Sequence, residues 1–183
     1  MKNVLLIGTG SIGIVNLPSF IIELKKLNFS CKCILTHSAA EFVPEKTIGY
    51  FADTFTDDKS IGSTFARIPH IALGSWADIV MVLPASANTI NKMGYGIADN
   101  LATLTVISTR APIIVFPNME KTIADQDIVK ESIVKLEQRN IRVIQNVNEG
   151  YSTSSQKFEE SLVLPTFEQF RVILETAKEE TIV

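Results

Sequence analysis

The 183 residues hold two cysteines, one tryptophan, two histidines and no long apolar run, and each shortage removes a class of protein. Two cysteines are too few for a disulfide-stapled fold. Cys31 and Cys33 lie two apart, so on a strand both point to one face and read as small buried side chains. A zinc site needs further ligands, and only His37 and His70 could join them, so no metal site is expected. No stretch approaches the roughly 20 apolar residues of a membrane span. No long apolar leader opens the chain at Met1-Lys2-Asn3, so a cytoplasmic address is expected. Positive charge is not in excess: the formal net charge is −3 and Lys and Arg form no stripe. That argues against nucleic acid and acidic membrane surfaces as partners. Repeats, low-complexity tracts and linkers are missing too.

What is present is a globular composition, with 46% hydrophobic and 20% charged residues. Short apolar runs fall at Asn3–Ile7, Cys31–Leu35, Ile79–Leu83, Pro112–Phe116 and Ile141–Ile144. Continuous apolar runs of this length suit strands covered on both faces. Between them lie segments with helical spacing: Asn16–Leu27 with Asn16 as cap, Ala39–Val43, stretches starting near Ala87 and Asp99, and Ile123–Gln138. A last helix follows Pro165, with Thr166 as its cap; Phe167, Phe170, Ile173 and Leu174 are its apolar positions, as Phe20, Ile21, Leu24 and Leu27 are those of the first helix. Thr54–Ser63 reads as a surface loop, and Gly150–Ser161 as irregular chain. The alternation predicts one domain over residues 1–183, α/β in class. It is a three-layer Rossmann-like, flavodoxin-like parallel sheet with helices on both faces. Such sheets bind ligands beyond the carboxyl ends of their strands. That selects four loops: Gly8–Gly13, Thr36–Ser38, Pro84–Asn91 and Pro117–Lys121.

The first loop, Gly8-Thr9-Gly10-Ser11-Ile12-Gly13, fits G-x-G-x-x-G after a strand. Its glycines let backbone N–H groups approach a phosphate at a helix start. An NAD site also wants an acid at the end of the second strand for the ribose hydroxyls. That end reads Thr36-His37-Ser38, and the first acid beyond it is Glu41, inside the next predicted helix. Hydroxyls there suit a phosphate or a flavin better, and NAD stays as the alternative.

Pro84-Ala85-Ser86-Ala87-Asn88-Thr89 (PASANT) is followed by Ile90-Asn91-Lys92 and Gly96-Ile97-Ala98-Asp99-Asn100-Leu101. With His70-Ile71 upstream and Ser152-Thr153-Ser154-Ser155-Gln156 through Leu164-Pro165 downstream, nearly the whole chain resembles the homo-oligomeric flavin-containing cysteine decarboxylases. Within them it resembles the lantibiotic peptidyl-cysteine decarboxylases of epidermin and mersacidin type most closely. Phosphopantothenoylcysteine decarboxylase is the vitamin-pathway member and the alternative assignment.

The resemblance implies FMN, bound at a contact between subunits of a homotrimer that often assembles further into a dodecamer. It implies a phosphate against Gly10, Ser11 and Ile12, with hydroxyls from Thr36 and Ser38, and the flavin and ribityl chain against Ser86, Ala87, Asn88 and Thr89. It implies His70 as the catalytic base, and a flexible clamp over 150–164, including Ser154 and Ser155, that closes on a precursor peptide ending in cysteine. In such enzymes the cysteine is oxidised by two electrons to a thioaldehyde. The carboxylate then leaves as carbon dioxide, because the carbanion beside a thiocarbonyl is delocalised, and a peptidyl aminoenethiol remains. Imidazole, titrating near neutral pH, suits the proton transfer.

One motif departs. The family carries P-x-M-N-x-x-M-W, whose Asn contacts the substrate carboxylate, alongside residues matching Asn118 and Met119 here. This chain reads Pro117-Asn118-Met119-Glu120-Lys121-Thr122-Ile123-Ala124. An ionised Glu120 would repel a carboxylate at contact distance by roughly 1–4 kcal/mol. The options are a protonated or averted Glu120 with Lys121 or Asn118 taking the carboxylate, a different substrate, or a flavin-binding protein without decarboxylase activity.

Overall fold

The computed structural model describes residues 2–56, 68–152 and 154–180. Its centre is a sheet of six parallel strands in the order β3-β2-β1-β4-β5-β7. These are β1 (Asn3–Gly8), β2 (Ser30–Leu35), β3 (Asp53–Thr56), β4 (Ile79–Ala85), β5 (Ile113–Pro117) and β7 (Arg142–Val143). β1 and β4 are central, and their residues are buried on both faces by strict alternation. Val4, Leu6, Ile79 and Met81 enter one core, while Leu5, Ile7, Val80 and Val82 enter the other. The sheet is a Rossmann-like α/β fold, as expected.

Helices cover both faces. On the first lie α1 (Leu17–Lys26), α2 (His37–Phe42), α3 (Glu45–Gly49) and α9 (Phe167–Glu180). On the second lie α4 (Pro69–Trp76), α5 (Ala87–Tyr95), α6 (Leu101–Ser108) and α8 (Asp127–Glu137). β2 and β3 are added on one side of β1, and β4, β5 and β7 on the other, so the strand order reverses between β1 and β4 and the crevice of this fold class opens above their carboxyl ends.

Four expectations need correction. Asp53–Thr56 is not loop but an edge strand, paired in parallel from Lys32↔Asp53 to Leu35↔Thr56; the rest of the expected loop, 57–63, lies outside the described residues. The helix expected over Ile123–Gln138 is two: α7 (Lys121–Ala124) and α8, broken where Gln126 is extended (φ −64°, ψ 133°). Asn16 stands at the cap position of α1, but its side chain makes no cap bond, because a 3₁₀ turn over Ile12–Asn16 feeds straight into the helix. Gly150–Ser161, apart from Thr153, which lies outside the described residues, is not irregular. β8 (Val147–Ser152) and β9 (Lys157–Leu162) form an antiparallel hairpin, and β6 (Met119–Glu120) pairs with β9 to make a second sheet. Thr166 does cap α9: Gln169 N–H donates to its Oγ1 and Thr166 N–H donates back to Gln169 Oε1. Cys33 is buried and Cys31 half-buried, both as free thiols. The hydrogen bond with Cys31 and burial hold the Cys33 thiol well above its ordinary range.

α9 is fastened by aromatics and by charge. Phe170 is fully buried, with ring centroids 4.9 Å from Phe20 and 6.1 Å from Phe116. Phe170→Ala should cost about 3–5 kcal/mol of unfolding free energy in urea titrations; a cost below about 1 kcal/mol would mean that the helix is not integral to the core. Glu23, on α1, takes Lys26 at 2.6 Å and the Arg171 guanidinium of α9. Bonds from Lys26 and Arg171 hold its carboxyl below the usual range. A lowered folded pKa contributes stability above the unfolded value and loses it as pH falls through the folded one. Glu23→Gln should therefore lower the melting temperature at pH 7, with the gap from wild type closing as pH falls below the ordinary glutamate range. A gap independent of pH would contradict this.

Candidate functional site

Above the carboxyl ends of β2, β1, β4 and β5 lies an open cleft of about 1140 Å³. All four loops selected from the sequence contribute to it. Its floor is the glycine loop after β1. Thr9 ties this loop to the PASANT segment: its N–H and hydroxyl donate to Pro84 O at 3.2 and 2.8 Å, and its Oγ1 accepts from Ser86 N–H at 2.8 Å. Thr9 was passed over in the sequence because it occupies a variable position of the glycine pattern.

Gly10 and Gly13 are required by close approach. A β-carbon on Gly10 would stand 2.5 Å from Ser38 Cβ, and one on Gly13 would overlap Asn118 Oδ1. Within the loop Ser11 and Ile14 N–H groups donate to Thr9 O and Ser11 O, Thr9 and Gly13 N–H groups donate to Pro84 O and Asn118 Oδ1, and those of Gly10 and Ile12 are left. Ser11 is more constrained than expected. Its N–H donates to Thr9 O and its hydroxyl donates to Asn118.

Two helix starts face the same space. Thr36 caps α2, its Oγ1 accepting from Ala39 N–H at 3.4 Å, which leaves the hydroxyl proton for a ligand. Ser38 lines the cleft beside Gly10. Ser86 caps α5, accepting from Thr89 N–H at 3.4 Å and touching Thr89 Oγ1 at 3.2 Å. Ala87 and Asn88 sit in the first turn of α5, where backbone N–H groups have no helical partner. Lys92, one turn further on, lines the cleft paired with Asp99 at 2.6 Å. This arrangement of N–H groups and hydroxyls on a glycine floor suits a phosphorylated, polar-edged ligand. Glu41, the acid an NAD site would call on, instead lies 3.5 Å from His37 Nε2 on the exposed side of α2 and does not line the cleft.

The opposite wall was not anticipated as a site. Asn16, Phe20 and Phe167 line it, with the two rings 5.2 Å apart. In the sequence they looked like a helix cap and two core positions. The hairpin closes the rim through Gly150, Tyr151, Ser161 and Leu162.

The departed motif forms the junction between floor and hairpin. Asn118 Oδ1 accepts from Ser11 Oγ and from Gly13 N–H at 3.1 Å, while its Nδ2 donates to Leu162 O at 3.0 Å. Its amide is thus engaged by the protein itself. Lys121 is held by Asp125 at 2.8 Å, with Glu160 at 3.9 Å, and does not line the cleft. Met119 and Glu120 do line it. Hydrogen bonds from Ser152 and then Ser154 hold the Glu120 carboxyl below the usual range, so it is ionised at neutral pH. That direction favours the carboxylate over the protonated form, one of the sequence options. Ser154 and Ser155 sit in the hairpin turn rather than among the lining residues.

His70 is half-buried in the first turn of α4. α4 precedes a parallel strand, so its first turn lies at the same end of the sheet as the cleft. His70 is nonetheless not among the residues that line the cleft of this single chain. The exposed Ile68 and Ile71 flank it. Among the described residues, no helix is long and apolar enough to cross a membrane.

A family model described as Flavoprotein matches residues 1–165. Mersacidin decarboxylase of Bacillus sp. (strain HIL-Y85/54728) is 32% identical over 144 residues, covering 78% of this chain and 73% of that protein. Epidermin decarboxylase of Staphylococcus epidermidis is 27% identical over 165 residues, covering 90% and 89%. A solved structure of EpiD, a histidine-to-asparagine variant complexed with the substrate peptide DSYTC, superposes with a TM-score of 0.81 at 28% identity over 93% of this chain and 97% of that one.

Proposed function

The chain belongs to the Flavoprotein family, and from that premise we propose that it is an FMN-dependent decarboxylase acting on the C-terminal cysteine of a precursor peptide. The observation that carries this is the union of the glycine floor and the PASANT helix start through Thr9, which brings the phosphate-type and flavin-type donors into one cleft. The kinship with the mersacidin and epidermin decarboxylases supports the reaction, and the peptide-bound EpiD variant supports a peptide as substrate.

FMN, when bound, supplies a two-electron acceptor. The residues of the chain do the rest. The N–H groups of Gly10 and Ile12 and the hydroxyls of Thr36 and Ser38 hold the phosphate, and Ser11 holds the floor through Asn118. Ser86, Ala87, Asn88 and Thr89 face the ring and ribityl chain. Met119, Glu120 and the hairpin, with Ser154 and Ser155 in its turn, shape the space for the peptide and keep water from the oxidised cysteine. His70 moves the cysteine proton. In this reading His70, which does not line the cleft of its own chain, acts in the cleft of a second copy, in a homo-oligomer of at least three chains. The whole of residues 1–183 works as one domain in that assembly, in the cytoplasm.

The test is to incubate the FMN-loaded protein with peptides ending in cysteine and follow their mass. The expected product has lost carbon dioxide and two hydrogens. A varied peptide set that returns unchanged would sink the proposal.

A further inference from the structure

Glu120 pairs with Ser161 where β6 meets β9, yet its carboxylate is bonded to Ser152, whose own ladder partner is Lys157. Ser161 and Lys157 are four residues apart, about 13 Å at strand rise, and β8 lies one strand further from β6. On a flat sheet no glutamate could reach. The hairpin therefore coils back so that its turn stands over β6. Gly150 marks the tight point of the coil: a β-carbon there would stand 2.9 Å from Val163 Cγ1.

At the meeting point Glu120 Oε1 accepts from Ser152 Oγ at 2.7 Å and from Ser154 Oγ at 2.8 Å. The two hydroxyls are 3.0 Å apart, and Ser155 N–H donates to Ser152 Oγ at 3.2 Å. Ser152 is buried, whereas most of the hairpin is exposed. Tyr151 and Phe158 pack edge-to-face at 5.6 Å but keep 55% and 72% of their surface open. A two-stranded hairpin with so little burial is marginal alone, so charge-assisted bonds at its turn weigh heavily.

We propose that Glu120 is a positioning residue that latches the coiled hairpin over the cleft before any peptide arrives. Resting on the decarboxylase reading for what the cleft receives, this explains the departure from the family motif. An asparagine is one methylene shorter and uncharged, and could not hold both serines from the same backbone position. The chain has exchanged a contact to substrate for a clamp ordered in advance, which lowers the entropy lost on peptide binding.

Hydrogen exchange of the FMN-loaded protein without peptide tests the latch. In Glu120→Ala, amides across 147–162 should exchange on the order of tenfold faster, while β1, β4 and β5 keep wild-type protection. Glu120→Gln, which keeps the length and one acceptor, should recover part of that protection. With a cysteine-ending peptide, the loss in Glu120→Ala should fall on KM more than on kcat. Unchanged exchange in the hairpin, or a loss confined to kcat, would overturn the proposal. Exchange is read without substrate, so a protein that decarboxylates no peptide yet shows the expected pattern would refute the reaction and leave the latch standing.

Discussion

Replacing His70 with asparagine should leave FMN bound at wild-type occupancy and lower turnover by about 10²–10⁴-fold, the range that a positioned general base contributes. The two halves of this result come from different places in the fold. FMN retention is expected because the groups assigned to the phosphate and the flavin, on the glycine loop, the start of α2 and the start of α5, do not include His70. The loss of turnover follows from its place at the ligand-binding end of the sheet, from which a second copy can receive it. Mixing makes the point sharper. A chain with His70→Asn and a chain whose floor is broken should each turn over poorly alone at limiting FMN. Mixed assemblies should recover activity in the fraction of sites where an intact cleft meets an intact histidine. Turnover retained in His70→Asn, or no recovery in mixed assemblies, would remove His70 from this role.

The broken floor is the second large effect. Gly10→Ala puts a β-carbon 2.5 Å from Ser38 Cβ, so one of two anchored loops must move. Neither moves freely. Thr36 N–H donates to Gly8 O at 3.0 Å, and Thr9 is fixed to Pro84 and Ser86. Overpacking of this kind costs about 1–3 kcal/mol, which at about 1.4 kcal/mol per decade weakens FMN binding roughly 5- to 150-fold. Flavin fluorescence titration of the apoprotein reads it directly. Adding Ser38→Gly to Gly10→Ala removes the colliding atom and should recover part of the affinity. An affinity for FMN equal to wild type in Gly10→Ala would mean that the phosphate is not held between these loops.

Why those residues were visible beforehand, and others were not, has a physical basis. β1, β4 and β5 are buried on both faces, so their apolar runs could be read directly, and the loops that follow them were selected by topology alone. The hairpin carries Glu149, Glu159, Glu160 and Lys157 on exposed positions and has no apolar period to betray it. β6 and the bonds from Glu120 hold the hairpin over the cleft, and those contacts span more than thirty residues. The same distance hid the fate of Asn118. As a neighbour of the motif it looked available to substrate, but its amide is spent between the glycine floor and Leu162. Phe20 and Phe167 carry a second role that spacing does not show. Phe20 is core, as its helical spacing marked it, and with the more exposed Phe167 it also borders the cleft.

The central claim joins a flavin and a peptide cysteine in one event, and one anaerobic titration examines both. The FMN-loaded protein is mixed with increments of a peptide ending in cysteine, the flavin absorbance is followed, and the peptide mass is read at the end. The account predicts bleaching in proportion to added peptide, one flavin reduced for each peptide that has lost carbon dioxide and two hydrogens. Full FMN occupancy with no bleaching and unaltered peptide, across sequences differing upstream of the cysteine, would contradict it.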